Sequence, residues 1–95
     1  MKESELQKVV IDAALMFGYL VYHTYDSRRS QRGFPDLVMV RGQRTLFVEL
    51  KSAKGRMRPE QTEWLNRLEA AHQETFVWRP EDWVSGEIVK ELRKA

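Results

Sequence analysis

Cysteine is absent from this sequence, and its absence removes two classes of architecture at once. Neither a disulfide framework nor a thiolate metal site can form, and the default setting for such a chain is a reducing, intracellular one. Long hydrophobic runs are also missing. No apolar stretch is long enough to span a bilayer, and no apolar run follows a basic start in the manner of a secretory signal. The expectation is a cytoplasmic protein. Proline occurs three times and glycine five times in 95 residues, and there is no repeat, low-complexity tract or linker-like composition. One domain over residues 1–95 is therefore expected. Hydrophobic residues at 42% and charged residues at 32% are too balanced for a disordered chain.

Acidic residues are scarce in the middle of the chain. Between Arg28 and Arg58 there are nine basic residues (Arg28, Arg29, Arg32, Arg41, Arg44, Lys51, Lys54, Arg56 and Arg58) and only two acids, Asp36 and Glu49. That segment carries +7 while the whole chain carries +2. A basic middle between acidic ends suggests a surface that faces a polyanion, although loops solvated by Arg and Lys give the same count. Clustered basic charge is a footprint of nucleic-acid binding and not a proof of it.

The start, SELQKVVIDAALMFG, predicts a helix. Ser4 and Gln7 have capping-box spacing, and Leu6, Val9, Val10, Ala13, Ala14 and Phe17 make one apolar stripe ahead of Gly18. Tyr19 to Tyr25 is aromatic and β-branched and predicts a strand. DLVMVR and TLFVELK predict two more strands around Gly42-Gln43, a pairing that suits a type II′ turn. PEQTEWLNRLEAA predicts a helix opened by Pro59, with Leu65 and Leu68 facing inward. Glu74 to Trp78 predicts a fourth strand, and the remainder a turn and a terminal helix capped at Ser85. The order is α-β-β-β-α-β-α. A meander followed by a helical crossover sets the last strand parallel to the third, giving an α/β fold with a four-stranded mixed sheet and flanking helices.

Centring the turn between Gly42 and Gln43 opposes Arg41 to Arg44, Val38 to Phe47 and Asp36 to Glu49. Opposed residues share a sheet face, and the period-two alternation adds Lys51 to it while Leu46, Val48 and Leu50 take the other. A three-residue loop would shift one strand and break this register. Two opposed carboxylates repel, and a lysine offsets that only in part. A divalent cation with oxygen ligands offsets it better, since Mg²⁺ is commonly held by one or two carboxylates plus waters and substrate phosphates. Surrounding basic residues would bring a phosphodiester to the site, and metal-assisted hydrolysis is the chemistry that follows. A plain Glu49–Lys51 salt bridge at a strand end is the alternative account of the same residues.

GFPDLVMV followed by LFVELK resembles the PD-(D/E)XK nuclease superfamily, and more closely its VRR-NUC branch, the virus-type replication-repair nucleases. The resemblance runs through ELQ in the first helix, G-x-PD, VELK and PEQ, and rests on their order and spacing together. It implies a restriction-endonuclease-like core and a Mg²⁺- or Mn²⁺-dependent deoxyribonuclease of a bacterial or phage-infected cytoplasm. It also implies catalytic roles for Asp36, Glu49 and Lys51, a metal-shell role for the backbone carbonyl of Leu50, and matches for Glu5 (near the metal) and Gln61. Read without the family, Glu5 either reaches over the sheet end or stays solvated, favoured by the helix dipole. Gln61 either faces inward or bonds first-turn backbone.

Arg28, Arg29, Arg32, Lys54, Arg56 and Arg58 are the expected phosphate contacts, which position DNA without reading its sequence. No recognition helix is evident, so structure-selective cleavage is favoured over sequence-specific cleavage. Relatives that stand alone resemble Holliday-junction resolvases, which implies branched or four-way DNA as partner and a homodimer, with Trp83, Ile88 and Val89 as interface candidates. A non-catalytic nucleic-acid-binding module on the same fold is the alternative. His23 is expected to be a half-buried sheet residue, and Trp64, Trp78 and Trp83 core or interface residues.

Overall fold

A computed structural model describes residues 1–25, 29 and 31–95. The chain runs α1 (Glu3–Met16), β1 (Leu20–His23), β2 (Leu37–Arg41), β3 (Arg44–Leu50), α2 (Pro59–Ala70), β4 (Glu74–Trp78), α3 (Pro80–Val84) and α4 (Glu87–Arg93). The sheet order is β1-β2-β3-β4, antiparallel through the first three strands and parallel between β3 and β4. This is the expected mixed sheet, with one helix more than the sequence reading gave.

The hairpin register is the expected one. Leu37 pairs with Val48, Val38 with Phe47 and Arg41 with Arg44. Gly42 has φ +60°, while Gln43 stays outside the positive-φ region, the pattern of a type II′ turn. Because side chains alternate, Leu37, Met39, Leu46, Val48 and Leu50 all enter one core together with Leu6, Val10 and Ala14 of α1 and Ile88 and Leu92 of α4. The other sheet face carries α2, which packs against β4. Over β1 and β2 the outward row Leu20, Tyr22 and Val40 is exposed.

Three helices begin in the same way, and the first does not use the expected Ser4. The residue three positions beyond the cap folds back to accept the cap's backbone N–H: Glu5 Oε1 from Lys2 at 2.7 Å, Gln61 Oε1 from Arg58 at 2.9 Å and Asp82 Oδ2 from Arg79 at 2.8 Å. The last two starts share the sequence Arg-Pro-Glu, so the segment expected to be a turn after β4 forms α3 instead. Ser85 consequently ends α3, and the cap of α4 is Gly86; the Ser85 hydroxyl still accepts the Glu87 N–H at 3.4 Å. His72 ends α2 at φ +65°, its N–H bonded to the Glu69 carbonyl at 2.9 Å.

Ile88 is wholly buried in this core and is therefore not available to an interface. Trp83 and Val89 are half-buried, with Trp83 packed on the core. Trp78 is a core residue, and Trp64 is half-buried with its indole N–H donated to the Arg32 carbonyl at 3.0 Å. His23 is half-buried, as expected of a sheet histidine. Among the described residues, no helix is long and apolar enough to cross a membrane.

Candidate active site

At the open end of the β2–β3 hairpin the register continues one step beyond the ladder. Thr24 N–H donates to the Asp36 carbonyl at 3.0 Å, and the Asp36 carboxylate accepts the Leu50 N–H at 2.8 Å. Asp36 is thus fixed by backbone on one strand and by its side chain on the next. Glu49 and Lys51, both buried, lie on its sheet face, with Lys51 Nζ 3.5 Å from Glu49 Oε2. A buried charge needs full hydrogen bonding, and α2 supplies the missing partner. Gln61 Oε1 accepts from Lys51 Nζ at 2.8 Å as well as from Arg58 N–H, and Gln61 Nε2 donates to Glu49 Oε2 at 3.0 Å. Two donors converge on one end of this amide, so its orientation is fixed and the NH₂ end must face Glu49. Both sequence readings of Gln61 therefore hold in one side chain.

The arrangement is short of positive charge. Burial and then the neighbouring Asp36 carboxylate push the Glu49 carboxyl up to about 8, with Lys51 opposing them. A cation placed between the two carboxyls would reverse that shift. The donor types would suit a hard divalent ion: the carboxyl oxygens of Asp36 and Glu49 on one sheet face, beside the backbone of Leu50. Among the described residues no group of three or more His, Cys, Asp or Glu side chains is placed to hold a metal, so water and substrate oxygens would have to complete the shell.

These residues line a cleft of about 620 Å³, whose wall also includes Arg32 and Arg58. Of the other expected phosphate contacts, Arg29, Lys54 and Arg56 are exposed and do not line it, and Arg28 lies outside the described residues. Glu5 does not line the cleft, since its carboxylate caps α1; Glu3, two residues earlier, does. The helical period does separate the two: Glu3 stands three residues before Leu6 and seven before Val10, on the face those residues bury, whereas Glu5 lies well off that face.

Two supports escaped sequence reading. Gly33 has φ +87°, and a Cβ there would lie 2.5 Å from the Glu60 carbonyl oxygen. The loop that leads into Asp36 therefore rests backbone to backbone on the first turn of α2, which carries Gln61. Phe34 reinforces this contact edge-on against Trp64, ring centres 5.1 Å apart. Arg79, at the end of β4, donates through Nη1 to the carbonyls of Ser52 and Gly55, each at 2.8 Å, and so pins the loop that follows Lys51.

Comparison with known proteins bears on the fold and the family. Solved structures share the fold, among them the following two. A VRR-NUC domain protein superposes with a TM-score of 0.70 at 21% identity, covering 97% of this chain and 90% of its own. Archaeoglobus fulgidus Hjc, a Holliday junction resolvase from an archaeal hyperthermophile, gives 0.59 at 18% identity, covering 80% of this chain and 67% of its own. The class is thus a nuclease fold. The VRR-NUC domain model matches residues 3–79, and the chain belongs to the VRR-NUC family. No curated protein matches the sequence.

Proposed function

We propose that this chain is a Mg²⁺- or Mn²⁺-dependent DNA endonuclease selective for branched structures such as four-way junctions, with residues 1–95 acting as one nuclease domain. The observation that carries this reading is the opposed Asp36–Glu49 pair, short of positive charge, on one sheet face with Lys51 and Gln61. Asp36, Glu49 and the Leu50 carbonyl would hold the ion. Once bound, it supplies Lewis-acid polarisation of the phosphodiester and a water acidic enough to attack at neutral pH.

The protein's own groups do the positioning. Lys51 Nζ, oriented by Gln61 Oε1, offsets negative charge developing on the phosphate. Gln61 Nε2 holds Glu49 in place. Arg32 and Arg58 bind phosphates to either side of the reacting one, and Lys54, Arg56, Arg28 and Arg29 extend that grip. Glu3 replaces Glu5 as the helix acid nearest the reaction. We further propose a homodimer, in which the exposed Leu20, Tyr22 and Val40 face is a better candidate for contact than the buried Ile88. Light scattering of the wild type beside Leu20→Glu reads this directly; two monomers of equal mass would remove the dimer.

The activity test incubates the protein with four-way junction, flap, single-stranded and plain duplex DNA in Mg²⁺, Mn²⁺ or chelator. Metal-dependent cuts on branched substrates are expected. Asp36→Ala, Glu49→Ala or Lys51→Ala should each lower the rate more than about 100-fold, since even groups that merely orient metal ligands carry about 10–100-fold. Binding without cleavage in either metal would leave only a nucleic-acid-binding module.

A further inference from the structure

We propose that Tyr25 is a stacking platform for a nucleobase next to the reacting phosphate, which makes the cleft select an unstacked nucleotide. This rests on the nuclease reading above for the identity of the occupant. Tyr25 lines the same cleft as Asp36, Glu49 and Arg58, yet the residue is 88% exposed. A single exposed aromatic is unremarkable on a protein surface. Here it stands at the mouth of a charged cleft, next to a residue whose backbone is held there. The preceding Thr24 donates its N–H to the Asp36 carbonyl at 3.0 Å and its hydroxyl to the Pro35 carbonyl at 3.4 Å. Tyr25 is therefore one residue from a fixed connection to the proposed metal-binding acid.

The ring also has support. It leans on the His23 imidazole, with centroids 4.3 Å apart and planes tilted by 56°, and still leaves most of its surface to solvent. The cleft's other aromatic, Phe34, is engaged edge-on by Phe47 and Trp64. The division of labour follows from chemistry. Basic side chains bind phosphate, whereas a free aromatic face binds the π-surface of a base and tolerates any base identity. A base inside continuous duplex is already stacked on both sides, so it reaches the ring only after unstacking. Nucleotides in single strands, flaps and branch points are exposed without that cost. The ring thus gives structural selectivity a physical origin without any element that reads sequence.

The test uses full-length wild type, Tyr25→Phe and Tyr25→Ala with a single-stranded oligonucleotide containing 2-aminopurine and with a continuous duplex of the same sequence. A chelator keeps both uncut. Wild type and Tyr25→Phe should quench the 2-aminopurine fluorescence on binding. Tyr25→Ala should lose that quenching and bind the single strand about 5- to 100-fold more weakly, with duplex affinity changed less than about twofold. Quenching that survives in Tyr25→Ala, equal losses on both DNAs, no quenching by wild type, or failure of Tyr25→Phe would each overturn the proposal. Cleavage in Mg²⁺ separates the two readings. Cutting without quenching removes the stacking role alone, and quenching without cutting removes the nuclease and leaves a base-stacking binder.

Discussion

The β2–β3 hairpin carries a like-charged pair at each end, and the fold treats the two oppositely. At the turn end Arg41 opposes Arg44, and both point to the α4 side of the sheet. Arg41 donates to the carbonyls of Phe17, Leu92 and Lys94, and its guanidinium lies 4.4 Å over the Tyr19 ring. Arg44 grips Glu74 with two bonds of 2.7 and 2.9 Å, pairs with Glu91, and donates to the Tyr19 hydroxyl at 3.1 Å and the Glu91 carbonyl at 2.7 Å. Glu74 first, and then Glu91 against the effect of burial, raise its pKa above the ordinary arginine value. In turn, Arg44 lowers that of Glu74. These two arginines belong to the internal structure, which takes them out of the basic surface that the charge count suggested.

At the open end the opposed acids have one lysine and one amide between them, and Glu49 is pushed up to about 8. The turn end balances its charges within the chain, while the open end keeps a deficit of positive charge that the proposed ion would offset. A charge the fold needs for itself brings its counter-charges with it. A charge kept for a ligand leaves a deficit, and the deficit is the functional signal.

Changing each end should separate them. Arg44→Met removes the partner of two carboxylates and should cost about 3 kcal/mol, the low end for breaking a buried pair because Glu74 is partly exposed. Urea unfolding measures it, and a loss below about 1 kcal/mol would make the turn end no more structural than the open one. Gly33→Ala imposes positive φ on a side chain that also meets the Glu60 backbone. It should cost about 1–3 kcal/mol and shift Gln61 away from Glu49 and Lys51, so cleavage should fall further than stability alone explains.

A pH series addresses Glu49. Its folded pKa of about 8 lies above the ordinary value of 4.5, so the folded state holds more protons than the unfolded between those values. Metal-free stability should therefore fall as pH rises from 4.5 to 8 and level off above that. A decline in melting temperature is expected over that range, flattened in Glu49→Gln. Added Mg²⁺ should restore most at the high-pH end, where the carboxylate is ionised. The smallest effect is Asp36→Asn, which keeps an acceptor for the Leu50 N–H but removes one of the repelling charges. It should raise stability by up to about 1 kcal/mol while abolishing cleavage, opposite in sign to Arg44→Met.

Much of this was legible in the chain itself. Gly42-Gln43 with alternating residues on each side specifies the hairpin locally, because a two-residue loop fixes register and a slip by one would turn Leu37, Met39, Leu46 and Val48 out of the core. Asp36, Glu49 and Lys51 on one face follow from that alone. The second Arg-Pro-Glu start was also visible, since it repeats the opening of α2, but its helix is only five residues long and leaves little periodicity to read.

The sequence by itself thus determined the strands, their register and the opposition of two acids, all properties of neighbours along the chain or across one tight turn. Only tertiary structure decided which charges are satisfied. Glu91 reaches Arg44 across 47 residues, Gln61 closes the gap between Glu49 and Lys51, and Gly33 seats on Glu60. Such contacts join elements far apart in the chain and leave no local pattern. They are set by how the helices pack on the sheet, and it is that packing that made one end of the hairpin a structural joint and the other an open site.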